Sequence, residues 1–206
     1  GMFTMMNLAR LMVGLQGVAI TERAYQQALA YSKDRLQGSR SNSSNAPSPA
    51  PIIHHPDVKR MLLDMKCIAQ AGRSLTLYAA YCIDLSKHHA DAATRQIFSD
   101  RLSLLTPVVK AWITDRAIEC ASTGIQVHGG LGYIEDTGAA QHLRDARIMA
   151  IYEGTNGIQA NDLIGRKVIR ESGSSMLRLI SDMREDLTNA KVAEGGHLAV
   201  ILLTTR

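Results

Sequence analysis

The sequence predicts an all-α protein: an up-and-down four-helix bundle with accessory C-terminal helices. Three observations carry that prediction. Apolar residues recur at helical spacing along three stretches of more than about twenty residues, and such faces must be buried against one another. Ala, Leu, Ile and Met are abundant while aromatics are limited to one Trp, six Tyr and two Phe, a mix that favours helix over a β-sandwich. Neither an internal repeat nor a nucleotide-binding βαβ unit is present. With 206 residues, 46% apolar and 20% charged, the chain can bury one sizeable core as a single domain.

Gly1-Met2 reads as the remnant of a cleaved tag, so residues 1–3 are set aside as a disordered start. From Thr4 to Lys33 the apolar positions Leu8, Leu11, Met12, Leu15, Val18, Ala19, Tyr25 and Leu29 predict one long amphipathic helix ending at Gln37-Gly38. Residues 39–51 are rich in Ser, Asn and Pro and predict a flexible surface loop. Pro56-Asp57 opens a second helix, with Pro at a first-turn position and Asp complementing the helix dipole. Its seam runs through Val58, Met61, Met65, Ile68, Leu75, Tyr78, Cys82 and Leu85, and His88-His89 closes it. A third helix from about Asp91 to Ser122 turns Phe98, Leu102, Leu105, Val109, Trp112, Ile113 and Cys120 inward, with a kink expected at Pro107. The glycine-dense stretch from Gly124 to Gly138 reads as a loop, followed by a short helix over roughly Thr137 to Arg144. A fourth long helix starts near Thr155 or Asn156 and continues past Val168, completing a bundle over residues 4–172. Met176, Ile180, Met183 and Leu187 predict one more amphipathic helix in a helical extension over 173–206, whose last part has no clear caps.

No apolar run reaches the roughly eighteen residues that span a bilayer, and no secretory signal opens the chain, so a soluble cytoplasmic protein is expected. The formal charge of +4 does not point to nucleic acid, because basic residues are spread along every helix and interleaved with acids. Cys67, Cys82 and Cys120 lack metal-ligand spacing and fall on apolar faces, which predicts free thiols packed in the core of a protein from a reducing compartment. His54, His55, His88, His89 and His128 have no carboxylate or Cys partner at a convincing offset, so they read as surface or loop histidines and no metal is expected.

The chemistry concentrates in Glu153-Gly154-Thr155-Asn156-Gly157-Ile158-Gln159, which follows the apolar run Ile148 to Tyr152. A carboxylate held in an apolar turn has its pKa raised toward the range of a general base, and Glu153 is that candidate. The competing reading is a Glu placed at the positive end of a helix dipole. Thr155 reads as an N-cap or a polar ligand contact at a helix start, and the Gln126-Val127-His128-Gly129-Gly130 turn as a place where backbone can approach a bulky ligand.

Gln126 to Tyr133, then Arg144-Asp145-Ala146-Arg147, then Ile151 to Thr155 with Ile158-Gln159 closely resemble, in order and spacing, the C-terminal helical domain of the acyl-CoA dehydrogenases. Within that family the chain looks most like the longer bacterial branch that includes 3-methylmercaptopropionyl-CoA dehydrogenase. The resemblance implies FAD as cofactor, an acyl-CoA substrate, an electron-transfer flavoprotein as acceptor and a homo-oligomer, dimer or tetramer. It implies that Glu153 removes the α-proton of the thioester and that Thr155 contacts the flavin. Arg35, Gln37, Gln126, Gly129 and Gly130 then lie against the adenosine and pyrophosphate of an FAD held mainly by the neighbouring subunit. Arg10, twenty-five residues before Arg35, faces the CoA portion, while Tyr152 and Gly154 line the acyl site. Departures are Gly157 and Asn7, where relatives often carry polar and acidic residues, and a turn one residue shorter around Gln37. The family's N-terminal helical and middle β domains are not in this sequence, so the resemblance implies a domain inactive alone. An acyl-CoA oxidase domain or a non-catalytic helical interaction module are the alternatives.

Overall fold

A computed structural model of the chain describes residues 2–39 and 49–193. Among them every regular element is helical: α1 (Met2–Asp34), α2 (Pro56–His88), α3 (Ala92–His128), α4 (Gly130–Tyr133), α5 (Ala139–Met149), α6 (Asn156–Asn161) and α7 (Ser174–Ala193). Short 3-10 turns precede α2 and α5, and α6 runs on into a π-helical stretch over Asp162–Ile169. The loop expected over 39–51 falls largely on residues 40–48, outside the described residues, as do residue 1 and the tail from 194 onward.

The helix starts follow the local chemistry. Pro56 begins α2, where its missing N–H costs nothing. Asp91 caps α3 by accepting from the Thr94 backbone N–H at 2.8 Å. Helix α3 runs through Pro107 without interruption and forms the spine: α1, α2, α5, α6 and α7 all pack on it. It extends six residues beyond the expected end, because Gly124 lies inside the helix facing Ala24 of α1 and Met65 of α2. The expected glycine loop therefore shrinks to the Gly129 and Gly138 junctions, both with positive φ, around α4. The short helix after it also runs later than expected.

The core is built mostly from small and medium side chains. Val13, Ala117, Ala121, Ala146 and Met149 form one cluster; Leu11, Val18, Ala79, Val109 and Ile113 another; Ala24, Ala28, Met61, Leu62, Met65, Cys120 and Val127 a third. Where α1 meets α3, Gly14 and Gly17 face Val109 and Ile113 so closely that a Cβ at Gly14 would lie 2.5 Å from a Val109 methyl. The expected α1 seam is thus half right. Leu11 and Val18 are buried and Tyr25 and Leu29 half-buried, but Leu8, Met12, Leu15 and Ala19 are exposed. The helix is apolar on both sides, and its small residues let it approach α3.

Three further expectations change. Trp112 stands partly exposed rather than inward, beside a groove between α3 and α6. His128 is no surface residue: it is buried at the end of α3, bonded through Nδ1 to the Gly124 carbonyl at 2.7 Å and stacked on Tyr31. Cys67 is exposed, while Cys82 and Cys120 are buried. Burial pushes the Cys120 thiol up to about 12 and that of Cys82 upward as well. Because the thiolate is the reactive form, an aromatic disulfide reagent at pH 8 is expected to modify one thiol per native chain promptly, at Cys67, and three after denaturation. Prompt reaction of all three in the native state would contradict this packing.

The extension expected after 172 begins with α7, which is tied to the spine by an ion pair between Asp182 and the buried Arg101, itself bonded to the Tyr78 hydroxyl.

Candidate active site

The predicted residues gather at two places. The first is a cavity of about 680 Å3 between the end of α1, the start of α2 and the α3–α4 junction, lined by Arg35, Gln37, Gln126, Gly129 and Gly130, with Tyr31, His55 and His128. Past α1 the chain is stitched to the segment before α2 by a single antiparallel bridge, Leu36 to Pro51. Gln37 N donates to Ala50 O and Ile52 N to Arg35 O, each at 2.9 Å. His55 Nε2 bonds the Gln37 carbonyl at 2.8 Å, so the backbone presenting Arg35 and Gln37 is held from both ends.

The glycines at this cavity serve separate purposes. Gly129, at φ 62° and ψ −142°, adopts a backbone that a residue with a Cβ avoids. A side-chain carbon at Gly129 or Gly130 would meet nothing within 4 Å, which leaves the floor open to a ligand. Gly132 instead seats α4 on α3, since its Cβ would fall 2.5 Å from the Ile125 carbonyl oxygen. An open floor of exposed N–H-bearing glycine backbone, with a guanidinium and two carboxamides around it, suits a pyrophosphate-bearing nucleotide.

The second place is the turn between α5 and α6. Glu153 has φ 54°, a left-handed backbone rarely adopted outside glycine, and Gly154 follows at φ 85°. Residues reaching in from distant elements hold this strained corner. Arg10 of α1 donates from Nε to the Glu153 carbonyl at 3.4 Å, and its guanidinium pairs with the buried Asp162 at 3.6 Å. Gln159 of α6, fully buried, donates from Nε2 to the Glu153 and Gly154 carbonyls at 3.4 and 3.2 Å. Its Oε1 has no hydrogen-bond partner among the described residues. Thr155 caps α6 by accepting from Ile158 N–H at 3.3 Å. The Tyr152 hydroxyl donates to Gln16 of α1, and burial, reinforced by the Glu153 charge, pushes its phenol upward.

The apolar turn expected to enclose Glu153 is open: Glu153 is exposed, and Ile148, Ile151 and Tyr152 beside it are about two-fifths to one-half exposed. Among the described residues no apolar wall closes over the carboxylate. Thr155 stands with Glu153 and is not among the residues lining the cavity. Arg10 is turned to the Glu153 turn, with a side chain only 12% exposed.

Three supporting residues escaped sequence reading. Gln159 was visible only as part of the motif, while Asp162 and Lys110 gave no signal. Lys110 is 0% exposed and donates to Asn156 Oδ1 at 2.8 Å. Nothing in its spacing distinguishes it from a solvated helix lysine.

Comparison with known proteins places this geometry. Residues 2–168 match the model of the acyl-CoA dehydrogenase C-terminal domain. The chain is 48% identical over 198 residues to the 3-methylmercaptopropionyl-CoA dehydrogenase of Ruegeria pomeroyi, covering 96% of this chain and 33% of that protein. Among solved structures it resembles Caenorhabditis elegans ACDH-11 in complex with C11-CoA, at 25% identity and a TM-score of 0.78, over 93% of this chain and 30% of the other. A chain from a structure described as the electron transferring flavoprotein of Acidaminococcus fermentans is 27% identical, with a TM-score of 0.64, covering 80% of this chain and 37% of that one. This chain therefore spans about a third of the length of the relatives it matches. It belongs to the acyl-CoA dehydrogenase family and corresponds to the C-terminal helical domain of its members.

Proposed function

We propose that this chain serves as the C-terminal domain of an FAD-dependent acyl-CoA dehydrogenase that introduces an α,β double bond into an acyl-CoA thioester, with Glu153 as the general base. The observation that carries the reading is the Glu153 turn, whose backbone strain is held by Arg10 and Gln159 while the carboxylate stands exposed. Strain maintained by residues from two other elements is a feature of sites where a side chain must be aimed. FAD, when bound, supplies the acceptor for the β-hydrogen. Glu153 takes the α-proton. Thr155 offers a hydroxyl and a helix start to a polar edge of the cofactor. Tyr152 and Gly154 border the acyl group, and Arg10, through the Glu153 carbonyl, sets where the base stands. At the cavity, Arg35, Gln37, Gln126, Gly129 and Gly130 fit the adenosine and pyrophosphate of an FAD held by a neighbouring subunit.

That cavity also supports a dimer or tetramer, as does the exposed row of Met5, Leu8, Met12 and Leu15 on α1. The three free thiols favour a reducing, cytoplasmic setting, and the likeness to a chain from an electron-transferring flavoprotein structure supports such a protein as electron acceptor. Among the described residues Glu153 has no covering wall, and the chain taken alone is inactive.

The test is anaerobic addition of a panel of acyl-CoA thioesters to the full-length protein reconstituted with FAD. The flavin absorbance is expected to bleach with at least one thioester and with none of the corresponding free acids. Retention of FAD without bleaching by any thioester would move the assignment to a non-catalytic helical module.

A further inference from the structure

Lys110 is the largest fully buried side chain of the described residues. An ammonium is costly to bury, and an unbranched apolar side chain of similar length fits such a position at lower cost. Its Nζ donates to Asn156 Oδ1 at 2.8 Å. Asn156 opens α6 three residues after Glu153, and its carboxamide is fully engaged: Nδ2 donates to Thr114 Oγ1 at 2.9 Å, Asp115 Oδ1 at 2.7 Å and Ala111 O at 3.2 Å. Its backbone N–H donates to Ala150 O at 3.2 Å, closing the far side of the turn. The Glu153 turn is thus pinned to the spine helix through one asparagine, and the buried lysine fixes that asparagine's orientation.

Charges reach Lys110 from each side. Asp115 on its own helix and Glu153 in the turn favour the ammonium, and Arg10 of α1 opposes it. Burial outweighs them and brings the amine down to about 8. Arg10 is in turn paired with Asp162, so Lys110 is the cation of this group that no carboxylate salt-bridges among the described residues.

Resting on the reading of Glu153 as the base, we propose that Lys110 is a positioning residue of the catalytic turn: through Asn156 it fixes where the Glu153 carboxylate stands. Met at position 110 matches the lysine in length and removes the donor, and Ala at position 156 removes the acceptor.

The experiment compares the full-length FAD-loaded protein with its Lys110→Met, Asn156→Ala and Glu153→Gln variants by FAD content, melting temperature at pH 7, kcat and KM. Lys110→Met is expected to retain FAD and to show a kcat lower by about ten- to a hundredfold with KM little changed, as a misplaced base does. Its melting temperature at pH 7 should equal or exceed the parent's, because a buried charge is gone. Asn156→Ala is expected to lower kcat at least as much, since it removes the link itself. A purely structural lysine predicts the opposite pair: reduced melting temperature with parental kcat. Should Lys110→Met not fold, kcat of FAD-loaded Asn156→Ala decides alone. Parental kcat in the FAD-loaded variant, alongside an inactive Glu153→Gln, overturns this proposal and leaves Glu153 as the base. Undiminished turnover in Glu153→Gln overturns both.

Discussion

Replacing Glu153 with Gln in the full-length protein is expected to slow thioester-dependent flavin bleaching by about 10²- to 10⁴-fold, the range that a positioned general base contributes. The carboxamide matches the carboxylate in shape and cannot take up the proton. The bonds that hold the turn reach the backbone carbonyls of Glu153 and Gly154, so they survive the change. Melting temperature and FAD content are expected to stay at the parent's values. Replacing Glu153 with Gly separates function from stability more sharply. At φ 54° a residue with a Cβ is strained, and Gly relieves that by roughly 1 kcal/mol, less what it loses in chain entropy. Stability should therefore be retained or raised while turnover is lost. A Gln variant with parental bleaching rate would remove Glu153 from the reaction.

The other large effect is expected at Gly132, where Ala should cost about 3 kcal/mol or more, since the added carbon meets a backbone that cannot move aside. The contacts are the Ile125 carbonyl oxygen at 2.5 Å and the His128 Cβ at 2.8 Å. For a domain of this size that lowers the melting temperature by roughly 6–12 °C. Gly130→Ala is the control, because its added carbon meets nothing within 4 Å. It should melt near the parent and lose affinity for FAD, measured as cofactor retained after gel filtration, if the open floor is where the nucleotide lies. A Gly132→Ala variant that melts like the parent would mean that α4 is not seated on α3 in this way. A Gly130→Ala variant with full FAD retention would leave the cavity without a nucleotide role.

Both predictions concern glycines or a carboxylate that stand in recognisable motifs, yet the reasons behind them differ in how far sequence reaches. The helix starts at Pro56 and Asp91 are local chemistry, set by a missing N–H and a side chain that bonds the first turn, and they were legible. So was the α2 seam, where Met61, Met65 and Cys82 are buried as their spacing predicts. The resemblance to the acyl-CoA dehydrogenases grouped Arg35, Gln37, Gln126, Gly129 and Gly130, which line one cavity. Helix α1 was only half legible. Apolar residues surround it, so periodicity could not say whether Leu8, Met12 and Leu15 or the Gly14–Gly17 side would face α3. That choice belongs to packing, because the small residues permit the closer approach and the larger contact.

The sequence by itself determined which segments are helical, where most of them begin, and which short motifs carry chemistry, since these depend on neighbours within a turn or two. Tertiary structure alone decided that Glu153 is exposed, that His128 is buried against Tyr31, and that Lys110 is buried and bonded to the asparagine that follows the Glu153 turn. Each of these depends on what a distant segment places alongside. Lys110 and Asn156 are 46 residues apart, and Arg10 and Glu153 are 143 apart. The energy of a buried charge or a strained corner is set by such partners, which no local pattern of residues encodes.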